Sequence, residues 1–269
     1  MKFLSYMSPT IPEEFFHCLG RLLEKHGEFK VEVKFESCSS GPTSEQLAAG
    51  TDPFTRGRAD VGVICAPTYI RGHRTGALEL LGYTPIFQEP RNQGRAVYFS
   101  DLVVAEDSSF TNFEDLRGGH WAYNDRETLS GYFSLLEFLR REGLDAGFFQ
   151  RAVCSGGHRD SLALLSKGEI DCAAIDSNLL FFLSRSSEMP SVRRIAEIGP
   201  FPAPPLVIAT SLPEQKKAAI LAAFQSLVSC KTSLNELREK FLFDSLVETE
   251  HSHYECVREL LDHFPPAAL

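Results

Sequence analysis

Short apolar runs alternate with amphipathic helical segments through most of this chain, and that alternation constrains the fold more than any single motif. The first residues, to about Ser8, read as a core strand. Thr10, Pro12 and Glu13 are spaced as a capping box, Phe15, Leu19, Leu22 and Leu23 follow at helical intervals, and Gly27 reads as a left-handed stop. Val31, Val33 and Phe35 alternate as a strand, residues 44–49 fit a short helix, and 60–66 form an apolar run of the buried parallel-strand kind. Strand, helix, strand, helix, strand predicts a parallel sheet with covering helices.

The same order restarts further on. Residues 96–105 read as a long strand, 112–116 as a short helix and 120–123 as a strand that leads into the turn 124–130. A helix over 131–142 ends at Gly143, a strand covers 152–154, and a helix over 158–167 ends at Gly168. A strand at 170–175 and a helix from Asn178 follow. After the Pro-rich segment 199–205 comes a strand at 206–209, and the remainder reads as helical to about Phe264. Two α/β units joined near 100 and near 205 predict an inserted arrangement: 1–98 with 206–269 as one lobe, 99–205 as the other. A chain that crosses twice makes a hinge and an interlobe cleft, the usual place for a small ligand.

Composition removes several functions. The 269 residues carry a formal net charge of −9 with no basic stripe, which argues against a nucleic-acid partner. No apolar run reaches the roughly 20 residues a membrane span needs. No cleavage site follows the first residues, and the seven cysteines are an odd set without CxxC spacing. Free thiols and a cytoplasmic location are expected, or a periplasmic one if a signal was removed. The GxSxG, P-loop, HExxH and GxGxxG patterns are absent, zinc spacing is missing, and no cofactor or metal is expected. His251 and His253 have no ligand partners nearby in sequence and are expected on an exposed helix.

The most informative segment is 122–132, a strand followed by a hydroxyl-bearing loop from Asn124 that runs into a helix. A helix N-terminus presents unpaired amides and about half a positive charge, so Thr128, Ser130 and the amides of Gly131 and Tyr132 suit an anion. From local sequence alone Ser130 reads first as a cap of its own helix and second as a ligand contact. The segment 155–158 (SGGH) opens a second helix in the same way, with His158 in its first turn, either as a donor to an anion or as a structural residue. Asp176, after the next strand, either pairs with a ligand ammonium or caps its own helix. In the first lobe, Ser39 and Ser40 occupy a turn after a strand, and Pro67, Thr68 and Tyr69 follow another; Tyr69 and Tyr98 fit a pocket wall or plain packing.

These pieces together resemble a known family. The stretches 115–118 (DLRG), 122–125 (AYND), 130–132 (SGY), 155–158 (SGGH) and 168–176 (GEIDCAAID) look like the phosphonate-binding proteins of ABC transporters, a type II periplasmic-binding fold. The stretches 60–63 (DVGV), 67–69 (PTY) and 202–206 (PAPPL) fit as well, in order and over nearly the whole chain. The resemblance implies a two-lobed α/β binding protein that closes on a phosphonate-like or phosphate-like solute, with an ABC-transporter permease as partner if exported. In the family the loop matching Thr128, Leu129 and Ser130 reads Ser-Thr-Ser, and the position of His158 adds a donor. Leu129 lacks the middle hydroxyl. Asp176 lies near an acid that holds an ammonium in aminophosphonate binders, but 202–205 has no second acid, so that specificity is not implied. The same fold also resembles menaquinone-pathway enzymes acting on small carboxylates, under which Asp125, His158 or Asp176 serves as acid or base. An interaction protein with a vestigial cleft is the third reading.

Overall fold

The computed structural model describes residues 1–8, 10–36, 40–230 and 232–264. The chain opens with β1 (Lys2–Ser5), α1 (Glu13–His26), β2 (Glu32–Phe35), α2 (Ser44–Ala49), β3 (Val61–Val63), α3 (Ala66–Arg74), β4 (Leu78–Leu80) and β5 (Tyr83–Phe87). Next come β6 (Val97–Ala105), β7 (His120–Tyr123), α4 (Ser134–Arg141), β8 (Arg151–Cys154), α5 (His158–Ser166), β9 (Cys172–Asp176), α6 (Ser177–Ser184) and β10 (Val192–Pro202). The last stretch holds β11 (Leu206–Ala209), α7 (Glu214–Ser229), α8 (Asn235–Phe241), β12 (Phe243–Glu248) and α9 (Glu255–His263). Two compact units result: Met1–Ala96 with Pro202–Arg258, and Val97–Phe201 with the residues from 259 on. Residues 259–264 thus group with the second unit, whereas the sequence places them in the first lobe.

Each unit is built on a five-stranded sheet, in the order β2-β1-β3-β11-β4 and β10-β6-β9-β7-β8. Parallel pairing joins β1 to β2 and β3, and β7 to β8 and β9. Beside the expected parallel pairs the sheets are mixed, because β11 is antiparallel to β3 and β4, and β6 is antiparallel to β9. Both of these strands follow a crossing between units and enter without the crossover helix that makes neighbouring strands parallel.

In the second unit, Leu162 and Leu165 of α5 pack with Val103, Ala122, Ala173 and Ile175 of the sheet. Burying one such leucine stabilises by about 1.5–3 kcal/mol. That packing anchors α5 at the carboxyl end of β8, with His158 as its first residue.

Several local expectations need correction. Pro12, not Thr10, takes the N-cap position of α1, and no side chain caps it; Glu13 instead accepts from Ser8 Oγ at 3.2 Å. Gly143 and Gly168 stop their helices at positive φ, but Gly27 is extended at φ −128°. Close approach is what requires that glycine, since a Cβ there would meet the Phe29 ring at 2.7 Å. The apolar run 60–66 is strand only as far as Val63, and its last residue begins α3. The predicted all-helical C-terminus is interrupted by β12, which pairs with β5 in a separate two-stranded sheet. His251 and His253 lie in a half-buried 3₁₀ turn rather than on an exposed helix.

Cys18, Cys154, Cys172 and Cys230 carry free thiols in the fold, and Cys38 lies outside the described residues. Alkylation under denaturing conditions without reductant is expected to modify all seven cysteines, as read by intact mass; a substantially lower number would contradict the reduced-thiol assignment.

Candidate anion-binding site

The loop after β7 and the loop after β8 are tied together by backbone bonds. Ser155 N donates to Tyr123 O at 2.9 Å and Gly156 N to Asn124 O at 3.1 Å. This brings two side chains 28 residues apart into contact: Ser130 Oγ and His158 Nε2 are 2.8 Å apart, both buried. Ser130 does not cap a helix. It sits inside a π-helical turn, Leu129–Phe133, closed by Phe133 N donating to Thr128 O. Its carbonyl accepts from Ser100 Oγ at 2.5 Å and from Ser134 Oγ at 2.7 Å, which fixes the backbone that aims the hydroxyl.

Burial pushes the His158 pKa down to about 4, so the imidazole is neutral near pH 7. A neutral histidine and a serine hydroxyl hold two protons, and their mutual hydrogen bond uses one. One proton is therefore left to donate, from Nδ1 in one tautomer and from Ser130 Oγ in the other. His158 Nδ1 is buried and has no hydrogen-bond partner among the described residues. An acceptor arriving at this point would satisfy an atom that the protein itself leaves unpaired, at the amino end of α5.

Thr128 is buried, and its hydroxyl donates within its own loop, to Asn124 Oδ1 at 2.8 Å and Asp125 O at 2.9 Å. Its single proton is spent there. Asn124 Oδ1 also lies where a Cβ on Gly131 would stand, 1.8 Å away. Gly131→Ala is therefore expected to displace the loop and cost about 1–3 kcal/mol of stability, measured by denaturant unfolding. An unchanged midpoint would mean that the loop is not held against Asn124.

The other expected residues have separate settings. Asp176 caps α6, accepting from Asn178 N at 2.8 Å. Tyr132 packs against Trp121 and Tyr123, and Tyr98 is buried near Phe201. Ser40 and Tyr69 belong to the first unit, and Ser39 lies outside the described residues. Tyr69 is inside α3, and its hydroxyl is 2.7 Å from His251 Nδ1. Burial raises its pKa to about 12. Ser100 and Ser134 escaped the sequence reading; the Ser130 to Ser134 spacing of one helical turn is the only local signal for the second of them. Among the described residues there is no cluster of three metal-ligating side chains and no helix long and apolar enough to cross a membrane.

The architecture is that of a two-lobed periplasmic-binding-protein fold. A binding protein of an ABC phosphonate transporter from Pseudomonas aeruginosa superposes with a TM-score of 0.79 at 13% identity, covering 97% of this chain and 84% of that one. PhnD1 from Prochlorococcus marinus, solved in complex with methylphosphonate, gives 0.78 at 14% identity over 100% and 98% of the two chains. A Xanthomonas citri protein solved bound to ATP gives 0.70 at 15% identity over 98% and 99%. No curated protein matches. The family profile described as "ABC transporter, phosphonate, periplasmic substrate-binding protein" matches residues 3–254, and the chain belongs to that family.

Proposed function

We propose that this chain reversibly binds a small oxyanion of the phosphonate or phosphate type, without covalent chemistry, by lobe closure in the service of an ABC-transporter permease. The observation that carries this reading is the buried pair of Ser130 and His158, with one uncommitted proton and an unpartnered Nδ1 at a helix amino end. Family membership supports the ligand class, and the methylphosphonate complex of PhnD1 supplies a probe. The donors are neutral near pH 7, so they select an acceptor by geometry and helix-end potential rather than by a formal cation. Native mass spectrometry of freshly purified protein tests the reading. The expected spectrum contains a small acidic adduct, or acquires one on adding methylphosphonate, and loses it in Ser130→Ala/His158→Ala. Release of a chemically altered molecule would instead favour an enzyme.

A further inference from the structure

The chain passes between its two units at Ala96–Val97, at Phe201–Pro202 and at Arg258–Glu259. Within the first unit these segments are tied to one another. Ala96 O accepts from Ala203 N at 2.9 Å and from His253 Nε2 at 3.0 Å, and Ala203 O accepts from the Tyr254 hydroxyl at 3.2 Å. The same hydroxyl is 2.9 Å from Thr84 Oγ1, and Tyr254 is fully buried. A single 3₁₀ turn, His251–Tyr254, thus fastens the segment leading into β6, the segment leaving β10 and the start of α9.

His251 holds that turn to α3. Its Nδ1 is 2.7 Å from the Tyr69 hydroxyl, which has no other partner among the described residues. Tyr69 is 1% exposed and keeps its proton, since burial raises its pKa to about 12. The hydroxyl therefore donates, and Nδ1 has to offer a lone pair. The His73 ring of α3 stands 4.5 Å from the His251 ring, centroid to centroid.

A proton on His251 Nδ1 upsets both contacts. It takes away the acceptor of a buried hydroxyl, so that two donors face each other, and it sets a positive charge against a second imidazole. Burial first and His73 second lower the His251 pKa; Glu255 of α9 opposes them, and Arg258 adds to the lowering. His253 in the same turn responds differently. A carbonyl only accepts, so His253 Nε2 carries its proton in either charge state, and the bond to Ala96 O survives protonation. Sensitivity thus resides in His251, and fastening in His253 and Tyr254.

We propose that the turn His251–Tyr254 is a proton-releasable clamp on the segments through which the chain passes between its units, opened when His251 takes up a proton. Below the ordinary histidine value of 6.5 the released turn binds a proton that the closed turn resists, so opening becomes easier as the pH falls. The clamp is independent of the anion-binding reading and is tested without ligand.

Residue-resolved hydrogen exchange on the ligand-free protein reads it through the Ala203 amide. Corrected for the intrinsic pH dependence of exchange, protection there should fall by up to about 10-fold from about pH 7.5 to about pH 5.5, the ratio of protonated to neutral imidazole one pH unit below the ordinary value. His251→Asn keeps an acceptor for Tyr69 without a titratable group, and should protect Ala203 equally at both pH values. Tyr69→Phe should lower protection already at the higher pH. No fall in wild type, or the same fall in His251→Asn, would overturn the clamp. Wild-type protection in Tyr69→Phe at the higher pH would show that this bond does not hold the turn, and would overturn it as well.

Discussion

Ser130→Ala and His158→Ala should each weaken methylphosphonate binding by about 10- to 100-fold, and the double substitution should weaken it by much less than the product of the two. The single losses follow from hydrogen bonds to a charged group, which contribute about 1.5–3 kcal/mol. The shortfall follows from the proton inventory: serine and histidine share one hydrogen bond at 2.8 Å and have one donor left between them. With Ser130 Oγ donating to Nε2, the histidine proton is held on Nδ1 where it faces the anion; without His158 the serine has no proton to position, so the second removal takes away little more. Neighbours that contact one group couple by roughly 0.5–3 kcal/mol. Calorimetry on wild type, both single variants and the double variant gives the coupling directly. Strict additivity would mean that the two residues do not serve one anion.

Stability of the ligand-free protein should fall as the pH drops from about 6.5 toward 4, and His158 should account for much of that fall. Its folded-state pKa, lowered to about 4 by burial, lies below the ordinary histidine value of 6.5. Above pH 6.5 the imidazole is neutral in both states and contributes no pH dependence. Between the two values the unfolded chain takes up a proton that the folded chain refuses, so stability falls with pH. The full window is about 3 kcal/mol, and by pH 5 about 2 kcal/mol should be gone. Urea unfolding at pH 7.5 and pH 5, repeated on His158→Asn, isolates the contribution: the variant should lose less on acidification than wild type. Equal losses would show that His158 is not the buried neutral group described.

Much of the architecture was legible because βαβ alternation is written in residue periodicity. The helix stops at Gly143 and Gly168 are local chemistry of the same kind. Strand β10 was not legible. Residues 192–202 (VRRIAEIGPFP) look like a loop, and the strand tolerates that composition because it lies at the edge of its sheet, where glycine and proline cost little. Strand β12 was hidden for a related reason, being six residues set between charged helical sequence and paired only with β5. Antiparallel entry of β6 and β11 depends on which strands lie side by side, which no local pattern reports.

In the site, the loop grammar pointed to Ser130 and His158, and the fold adds their direct contact and the orphaned Nδ1. Sequence could not show that Thr128 spends its proton on Asn124, or that Asp176 turns back to cap α6. Whether a polar side chain faces a ligand or its own backbone is settled by rotamers and neighbours. Ser100 was invisible because it lies in the middle of an apolar strand, 30 residues from the carbonyl it holds.

A crystal structure of the protein with methylphosphonate tests the central claim most directly. The expected map places the phosphonate oxygens within hydrogen-bond distance, about 2.7–3.2 Å, of His158 Nδ1 or Ser130 Oγ at the amino end of α5. A bound phosphonate held elsewhere, with His158 Nδ1 still unpartnered, would contradict the assignment.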